Sequence, residues 1–159
     1  MTDRVFNKAV GHGDIVRDPK KKRTREPSRK AIVKEADRWA SLDVRLDENC
    51  ALMGMPGHVC KGKIECGHLF SRIAYSTRWD EANLYPLCTK ANMDMENDPV
   101  VARQLLEYAE SLWGPDTIFQ LHRAYEKAEP MKTWQIKEAA EIWHAKYIKH
   151  CQWRGLEAK

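Results

Sequence analysis

Apolar residues recur at helical spacing in four stretches of this chain. The first follows Ser28, a residue that can cap a helix running to about residue 43. Its apolar positions are Ile32, Val33, Ala36, Trp39 and Ala40. Pro99, Asp116 and Thr133 mark the starts of three more helices, the last of which ends near Trp153. Their apolar positions are Val100, Ala102, Leu105, Leu106, Tyr108, Leu112, Ile118, Phe119, Leu121, Tyr125, Ile136, Ala139, Ala140, Ile142, Trp143 and Tyr147.

The segment from residue 44 to residue 98 does not show this period. Short apolar runs near residue 50 and over residues 64–70 predict two strands joined by a loop, with His68 near the end of the second. Pro86 and Leu87 predict a turn, and Cys88 or Thr89 should begin a short helix. The pattern therefore predicts an α+β fold. A single domain over 28–159 would contain a first helix (28–43), a small core (44–98) and a helical extension (99–153).

The N-terminal stretch 1–27 has no sustained hydrophobic period, and its glycines and prolines predict a flexible arm. Residues 17–34 hold nine lysines and arginines but two acidic residues, although the whole chain has a net charge of only +4. A basic arm on a slightly acidic body indicates a polyanionic partner, and a tail that merely aids solubility is the alternative. The candidate nucleic-acid contacts in this arm are Lys20, Lys21, Lys22, Arg23 and Arg25.

The composition is that of an ordinary globular domain, with 43% hydrophobic and 31% charged residues in a chain of 159. The sequence contains neither an apolar run long enough for a membrane span nor a signal-peptide core. We therefore expect a cytoplasmic protein without a membrane partner. In a reducing compartment its five cysteines are expected to be thiols or metal ligands rather than disulfides.

One histidine and two asparagines stand in an order that suits the cleavage of a phosphodiester bond. His68 can act as a general base, because a neutral imidazole of pKa about 6.5 removes a proton from water without a metal hydroxide. Gly67, which has no side chain, would let a phosphate backbone approach it closely. Asn83 can fix the loop and the histidine tautomer by hydrogen bonding. Asn92 offers a neutral oxygen to Mg²⁺ or Mn²⁺.

Arg72 and Arg78 lie between these residues, and their guanidinium groups are predicted to bind phosphate. Taken singly, each residue has an ordinary alternative: a structural histidine, an asparagine in a turn or a solvated arginine. The functional interpretation rests on their order and spacing. We therefore predict a Mg²⁺-dependent DNA nuclease with His68, Asn83 and Asn92 as catalytic residues.

The run CGHLFSRIAYSTRWDEANLYPLCTKAN, followed by MENDP, resembles the phage NinG (Rap) recombination nucleases. These look like members of the HNH, or His-Me finger, superfamily. The NLYPLC segment of this chain is also similar to the general HNH pattern of asparagine, leucine, two residues, leucine and cysteine. The similarity is dense over 44–99 and weaker in the C-terminal part, where Gly114 and PMKTWQIKEAAEIWHAKY match the family's tail. Residues 1–27 lie outside it.

The resemblance implies a ββα-metal core. In it His68 would be the catalytic base, Asn83 the central asparagine and Asn92 the terminal metal-side residue. It also implies endonucleolytic cutting of branched recombination intermediates in DNA, such as Holliday junctions or D-loops. A symmetric cut of a junction would suit a homodimer. The basic arm would add salt-sensitive, sequence-independent affinity for DNA.

The cysteines depart from the family pattern. Relatives carry two CxxC pairs that bind a structural zinc, but here Met53 and Ala91 stand where each pair would have its second cysteine. A thioether and a methyl group cannot complete a tetrahedral thiolate site, so we expect apolar packing of Met53 against Ala91 in place of zinc. The alternative is a rescued zinc site. Its ligands would be Cys50, Cys88, Cys60 and either Cys66 or His58.

Two further departures concern the magnesium site. Met95 stands where relatives tend to have histidine, and Gly67 where many superfamily members have an acidic ligand. Asn92 would then be the main protein ligand, and Asp80, Glu96 or Asp98 would be its helpers. Two rival functions follow from these departures: a catalytically inactive DNA-binding protein on a degenerate HNH scaffold, and a protein that engages host factors through its helical tail.

Overall fold

The computed structural model describes residues 26–158. The helices are Arg29–Val44 (α1), Thr89–Asp94 (α2), Pro99–Trp113 (α3), Pro115–Lys127 (α4) and Thr133–Trp153 (α5). The strands are Ile64–His68 (β1) and Leu84–Cys88 (β2), and a 3₁₀ turn, Glu81–Asn83, leads directly into β2. The predicted α+β class is therefore confirmed. The predicted arm and its contacts Lys20, Lys21, Lys22, Arg23 and Arg25 lie outside the described residues.

Helix α1 begins where the sequence predicts. The Ser28 side chain accepts a hydrogen bond from the backbone N–H of Ala31 at 3.3 Å, which satisfies one free donor of the first turn. The apolar side of α1 packs along α5, and the two helices form most of one hydrophobic cluster. The buried residues of α5 in this cluster are Ile136, Ala140, Trp143, Tyr147 and Cys151.

The sheet differs from the prediction. β1 is the one strand within residues 44–70, and its antiparallel partner β2 covers the predicted turn at Pro86 and Leu87. The register places His68 opposite Leu84. Pro86 is tolerated because both strands of a two-stranded sheet are edge strands, where a missing N–H costs little. Its carbonyl accepts a hydrogen bond from the Ala51 N–H at 2.7 Å.

The caps of α4 and α5 also lie two residues and one residue, respectively, before the predicted ones. Asp116 lies inside the first turn of α4, because Pro115 fits the first helical position and Gly114 precedes it with φ 82°. Thr133 is the first residue of α5, and Lys132 occupies the position before it. Pro99, by contrast, begins α3 as predicted.

The apolar sides of the three C-terminal helices are partly rotated from those predicted. Leu105, Ile118, Leu121, Ile136 and Trp143 are buried as expected. Four predicted core side chains are instead exposed: Val100, Leu112, Phe119 and Ile142. Neighbouring small or branched residues such as Val101 and Ala109 take the buried positions of α3.

The two strands lie between two hydrophobic clusters. Leu84 joins the cluster of α1 and α5, whereas Tyr85 and Leu87 join a second cluster formed by α2, α3, α4 and residues 50–52. Side chains alternate along a strand, so successive residues of β2 serve opposite faces. Within the described part of the chain, none of the helices combines the length and apolar character that a membrane span requires.

Candidate active site and metal centre

His68 is the last residue of β1, and its half-buried side chain faces a cavity of about 520 Å³. Helix α1 forms one wall of this cavity, and the loop between the strands forms the other. Five basic residues and a single carboxylate contribute to the lining, so the cavity suits an anion. These charged residues are Lys34, Arg38, Arg45, Arg72, Arg78 and Asp37.

The surroundings of His68 keep its ring neutral. Burial, followed by the positive charge of Arg72, lowers the pKa of His68 to about 4. A hydrogen bond with the backbone of Arg78 acts in the opposite direction and favours the protonated ring, as a carbonyl acceptor does. The imidazole is therefore uncharged at pH 7, with one ring nitrogen held by Arg78 and the other able to accept a proton.

Asn83 is fully buried and fastens both ends of the loop that follows β1. Its Oδ1 accepts a hydrogen bond from the Phe70 N–H at 2.7 Å. Its Nδ2 donates to the Phe70 carbonyl at 3.1 Å and to the Thr77 carbonyl at 2.9 Å. Thr77 precedes Arg78, so Asn83 acts on His68 through the backbone rather than by direct contact.

Asp37 of α1 holds the same loop from outside. Its carboxylate accepts hydrogen bonds from Nε and Nη2 of Arg78 and from the indole N–H of Trp79. Arg78 also donates from Nη1 to the Arg72 carbonyl at 3.0 Å. A phosphate would have to compete with these partners for Arg78, whereas the exposed Arg72 forms no ion pair with any acidic residue among residues 26–158.

Asn92 lies on α2, beside the opposite face of β1. Its Nδ2 donates to Oε2 of Glu65 at 2.9 Å, and the Thr89 hydroxyl donates to Oε1 of the same carboxylate at 2.9 Å. These two hydrogen bonds lower the pKa of Glu65, which is therefore ionised at pH 7. The bond from Nδ2 leaves Oδ1 of Asn92 as an acceptor, and an amide oxygen next to a carboxylate suits a hard cation such as Mg²⁺.

Gly67 has a different role from the one the sequence suggests. It is buried, and a Cβ added there would lie 2.3 Å from Cδ1 of Leu87 and 3.1 Å from Oδ1 of Asn92. The expectation that Gly67 admits a phosphate backbone is therefore wrong, because β2 and α2 already fill the space. The glycine permits close packing of α2 on the sheet instead.

A second cluster of side chains could hold a metal ion. Four ligand atoms, from Cys50, His58, Cys60 and Cys88, all lie within 4.8 Å of one another. The Nε2 atom of His58 is 3.7, 3.4 and 3.7 Å from the Sγ atoms of Cys50, Cys60 and Cys88, respectively. Three thiols and one imidazole are the donors that zinc prefers, whereas magnesium prefers oxygen.

The thiols of this cluster influence one another's ionisation. Local desolvation and the neighbouring thiols of Cys50 and Cys88 raise the pKa of Cys60, which is itself exposed, to about 11. Burial would also raise the pKa of Cys88, but the backbone amides of Ala91 and Lys61 outweigh it and lower that pKa. A cation among the thiols would favour their ionised forms, since metal ions bind thiolates.

The expected apolar replacement of this metal site is wrong. Met53 is 57% exposed and so cannot pack in the interior against the fully buried Ala91. Cys66 also lies elsewhere: it lines the cavity of His68, and burial raises its pKa to about 12. The turn-rich segment before β1 instead brings His58 and Cys60 to Cys50 and Cys88. The His-x-Cys spacing was the signal in the sequence for this arrangement.

Sequence reasoning also missed Glu65 and Asp37. Both are acidic residues that approach the predicted site from neighbouring elements, and neither has a motif of its own. The helpers Asp80, Glu96 and Asp98 have no hydrogen bond to Asn92; Asp80 instead caps the 3₁₀ turn and Asp98 caps α3.

Comparison with known proteins gives no further guidance. No family description matches the sequence, and neither a curated protein nor a solved structure shows significant similarity to it.

Proposed function

We propose that this protein is a metal-dependent DNA endonuclease of the HNH, or His-Me finger, type, similar to the phage NinG recombination nucleases. One observation carries the proposal: His68 lies in a cavity lined by five basic residues, and burial lowers the pKa of its ring. A general base beside a polyanion site is what phosphodiester hydrolysis requires.

The order of elements supports the same proposal. β1 and β2 are antiparallel and α2 follows β2 without a linker, which is the order of a ββα-metal core. His68 ends the first strand, Asn83 immediately precedes the second and Asn92 lies on the helix. These are the positions that the resemblance assigns to the base, the central asparagine and the metal-side residue.

Each residue then has a distinct role in the proposed reaction. His68 takes a proton from the attacking water, while the Arg78 backbone keeps the accepting nitrogen in place. Arg72 binds a phosphate oxygen. Glu65 and Asn92 would hold Mg²⁺ or Mn²⁺ beside the opposite face of β1, so the proposal requires the DNA to pass the end of β1, where a bound ion would supply positive charge to the phosphate.

The test is cleavage of a labelled four-way DNA junction in Mg²⁺ or Mn²⁺. We expect the wild type to cut, and His68→Ala to lose at least about a hundredfold in rate, the range typical of a general base. His144→Ala is the matched control, because this exposed histidine stacks on Trp39, away from the cavity lining. Binding without cleavage by both the wild type and His68→Ala would leave the inactive DNA-binding protein as the function. The low pKa of His68, which makes it a weak base, favours that second candidate.

We further propose that Cys50, His58, Cys60 and Cys88 hold a structural zinc ion. The support is the tetrahedral number of nitrogen and sulfur donors within bonding reach of one centre. Elemental analysis of purified protein should give one zinc per chain, and Cys60→Ser should reduce it. Cys66→Ser should retain full zinc, because Cys66 lies in the other cavity. Zinc-free wild-type protein would refute the assignment.

A further inference from the structure

One side of α1 presents a row of basic side chains to the cavity of His68. Lys34, Arg38 and Arg45 all line that cavity. Their spacing of four and seven residues places them on one side of the helix, above one another. We call these three residues the basic ridge.

The charges of the basic ridge are available to a ligand. Among residues 26–158, none of the three forms an ion pair with a carboxylate. The Nε–H of Arg45 donates a hydrogen bond to the Ser41 carbonyl, and the Arg38 guanidinium lies 4.6 Å from the Trp39 ring centre. Both contacts position a guanidinium and leave other N–H groups unused, since each carries five.

The carboxylate in the cavity lining does not neutralise the ridge. Asp37 lies on the same side of α1, but Arg78 and Trp79 occupy its oxygens. Lys34, Arg38 and Arg45 therefore keep a positive potential along one wall of the cavity, and Arg72 adds to it from the other wall.

The length of the ridge fits a nucleic-acid strand. Eleven residues separate Lys34 from Arg45, which is about 16 Å along a helix. Phosphates of one DNA strand follow one another every 3.4 Å along the duplex axis, so roughly this distance brings several within reach. A row of cations matches that regular array better than it matches an isolated small anion.

We infer that the basic ridge binds successive phosphates of the DNA strand that is cut, and thereby determines which phosphodiester bond lies against His68. The inference rests on the proposed nuclease function and deepens it, because it specifies the path of the bound strand through the cavity. The strand runs along α1 and passes the end of β1, where His68 lies.

The test measures binding apart from chemistry. The triple variant Lys34→Gln, Arg38→Gln, Arg45→Gln is made in a His68→Ala background, and its Kd for a labelled four-way junction is measured at several salt concentrations. We expect the affinity at low salt to fall about tenfold or more. The dependence of the association constant on salt should become shallower, with the magnitude of the slope of log K against log salt smaller by about 3. The matched control carries Arg103→Gln, Lys127→Gln and Lys137→Gln, which removes the same charge from exposed positions on other helices.

A control that weakens binding as much as the ridge variant would overturn the inference, since net charge alone would then explain the loss. So would a ridge variant with the affinity and salt slope of its parent. Circular dichroism verifies folding, and the single variant Lys34→Gln, at an exposed position, repeats the comparison with minimal change. If His68→Ala cleaves like the wild type, the nuclease function fails, but these binding data still decide whether the ridge contacts DNA.

Discussion

The carboxylate of Asp37 accepts two hydrogen bonds from the guanidinium of Arg78, from Nε at 2.8 Å and from Nη2 at 2.6 Å. The Trp79 indole donates a third at 3.0 Å. A residue of α1 thus holds two consecutive residues of the loop whose backbone contacts His68. The loop is fixed to the first helix as well as to the sheet, so the orientation of the histidine depends on both.

Replacing Asp37 should therefore affect the rate of cleavage more than the binding of DNA. Asp37→Asn removes the charge but keeps the volume, and should lower kcat without raising KM, because Arg78 then becomes available to phosphate. The free energy of unfolding should fall by about 1–2 kcal/mol, as for a charge-assisted hydrogen bond that is partly exposed. Denaturant titration and junction-cleavage kinetics measure the two effects. Glu35→Gln, an exposed neighbour on the same helix, should change neither; equal losses in both variants would contradict a specific role for Asp37.

Asn83→Ala should be among the most damaging substitutions at a polar position. It leaves the Phe70 N–H and the Phe70 and Thr77 carbonyls without their partner in a fully buried site. We expect a loss of about 2–4 kcal/mol in the free energy of unfolding, measured by urea titration. Asn97→Ala, which removes one exposed bond, should cost under about 0.5 kcal/mol. A loss below 1 kcal/mol in Asn83→Ala would mean that the loop is held mainly by other contacts.

The low pKa of His68 predicts an unusual pH dependence of cleavage. Because the base must be neutral, kcat/KM should keep its plateau as pH falls and should halve only near pH 4, the pKa to which burial lowers this ring. An ordinary histidine would halve the rate near about pH 6.5. Single-turnover rates from pH 4 to pH 8, with circular dichroism at each pH, measure the profile. A midpoint near 6.5 would show that DNA binding changes the surroundings of His68 or that another group is the base.

The same shift predicts the direction of a stability effect. The pKa of His68 is lower in the folded chain than in the unfolded one, so below about pH 6.5 the unfolded chain binds the proton more readily. This contribution to stability is complete above that pH and declines as pH falls towards 4. The wild type should therefore lose stability relative to His68→Asn over this range.

Removal of metal should affect both the zinc cluster and the nuclease site. Cys88 accepts the Ala91 N–H at 3.4 Å and so caps α2, the helix that carries Asn92. A strong chelator should lower the melting temperature and the cleavage rate, and stoichiometric Zn²⁺ added back should restore both when Mg²⁺ is kept in excess. Cys66→Ser should respond as the wild type does. Full activity and an unchanged melting temperature in zinc-depleted protein would show that zinc at this cluster supports neither stability nor cleavage.

The parts of the fold that sequence predicted well depend on local signals. Ser28 and Pro99 are start signals whose effect does not require the rest of the chain, and both begin helices as expected. β2 was not predicted, because a proline such as Pro86 is normally found outside central strands. In a two-stranded sheet both strands are edge strands, where proline is accepted, but the sequence does not reveal the number of strands.

The site was predictable to the extent that it follows the chain order. His68 and Arg72 line one cavity, as their closeness in sequence suggests. Asp37 reaches the loop from 41 residues away, and His58 lies beside cysteines that precede β1 and beside Cys88 at the end of β2. Such contacts arise from tertiary packing, for which a single sequence without a motif gives no signal.

The packing of α1 against α5 has a consequence for how the chain is made. The basic wall of the cavity belongs to the first described helix, but the last helix packs along that helix. A ribosome releases α5 after every proposed catalytic residue has emerged. A nascent chain that already displays His68, Asn83 and Asn92 therefore lacks the support for its DNA-facing wall.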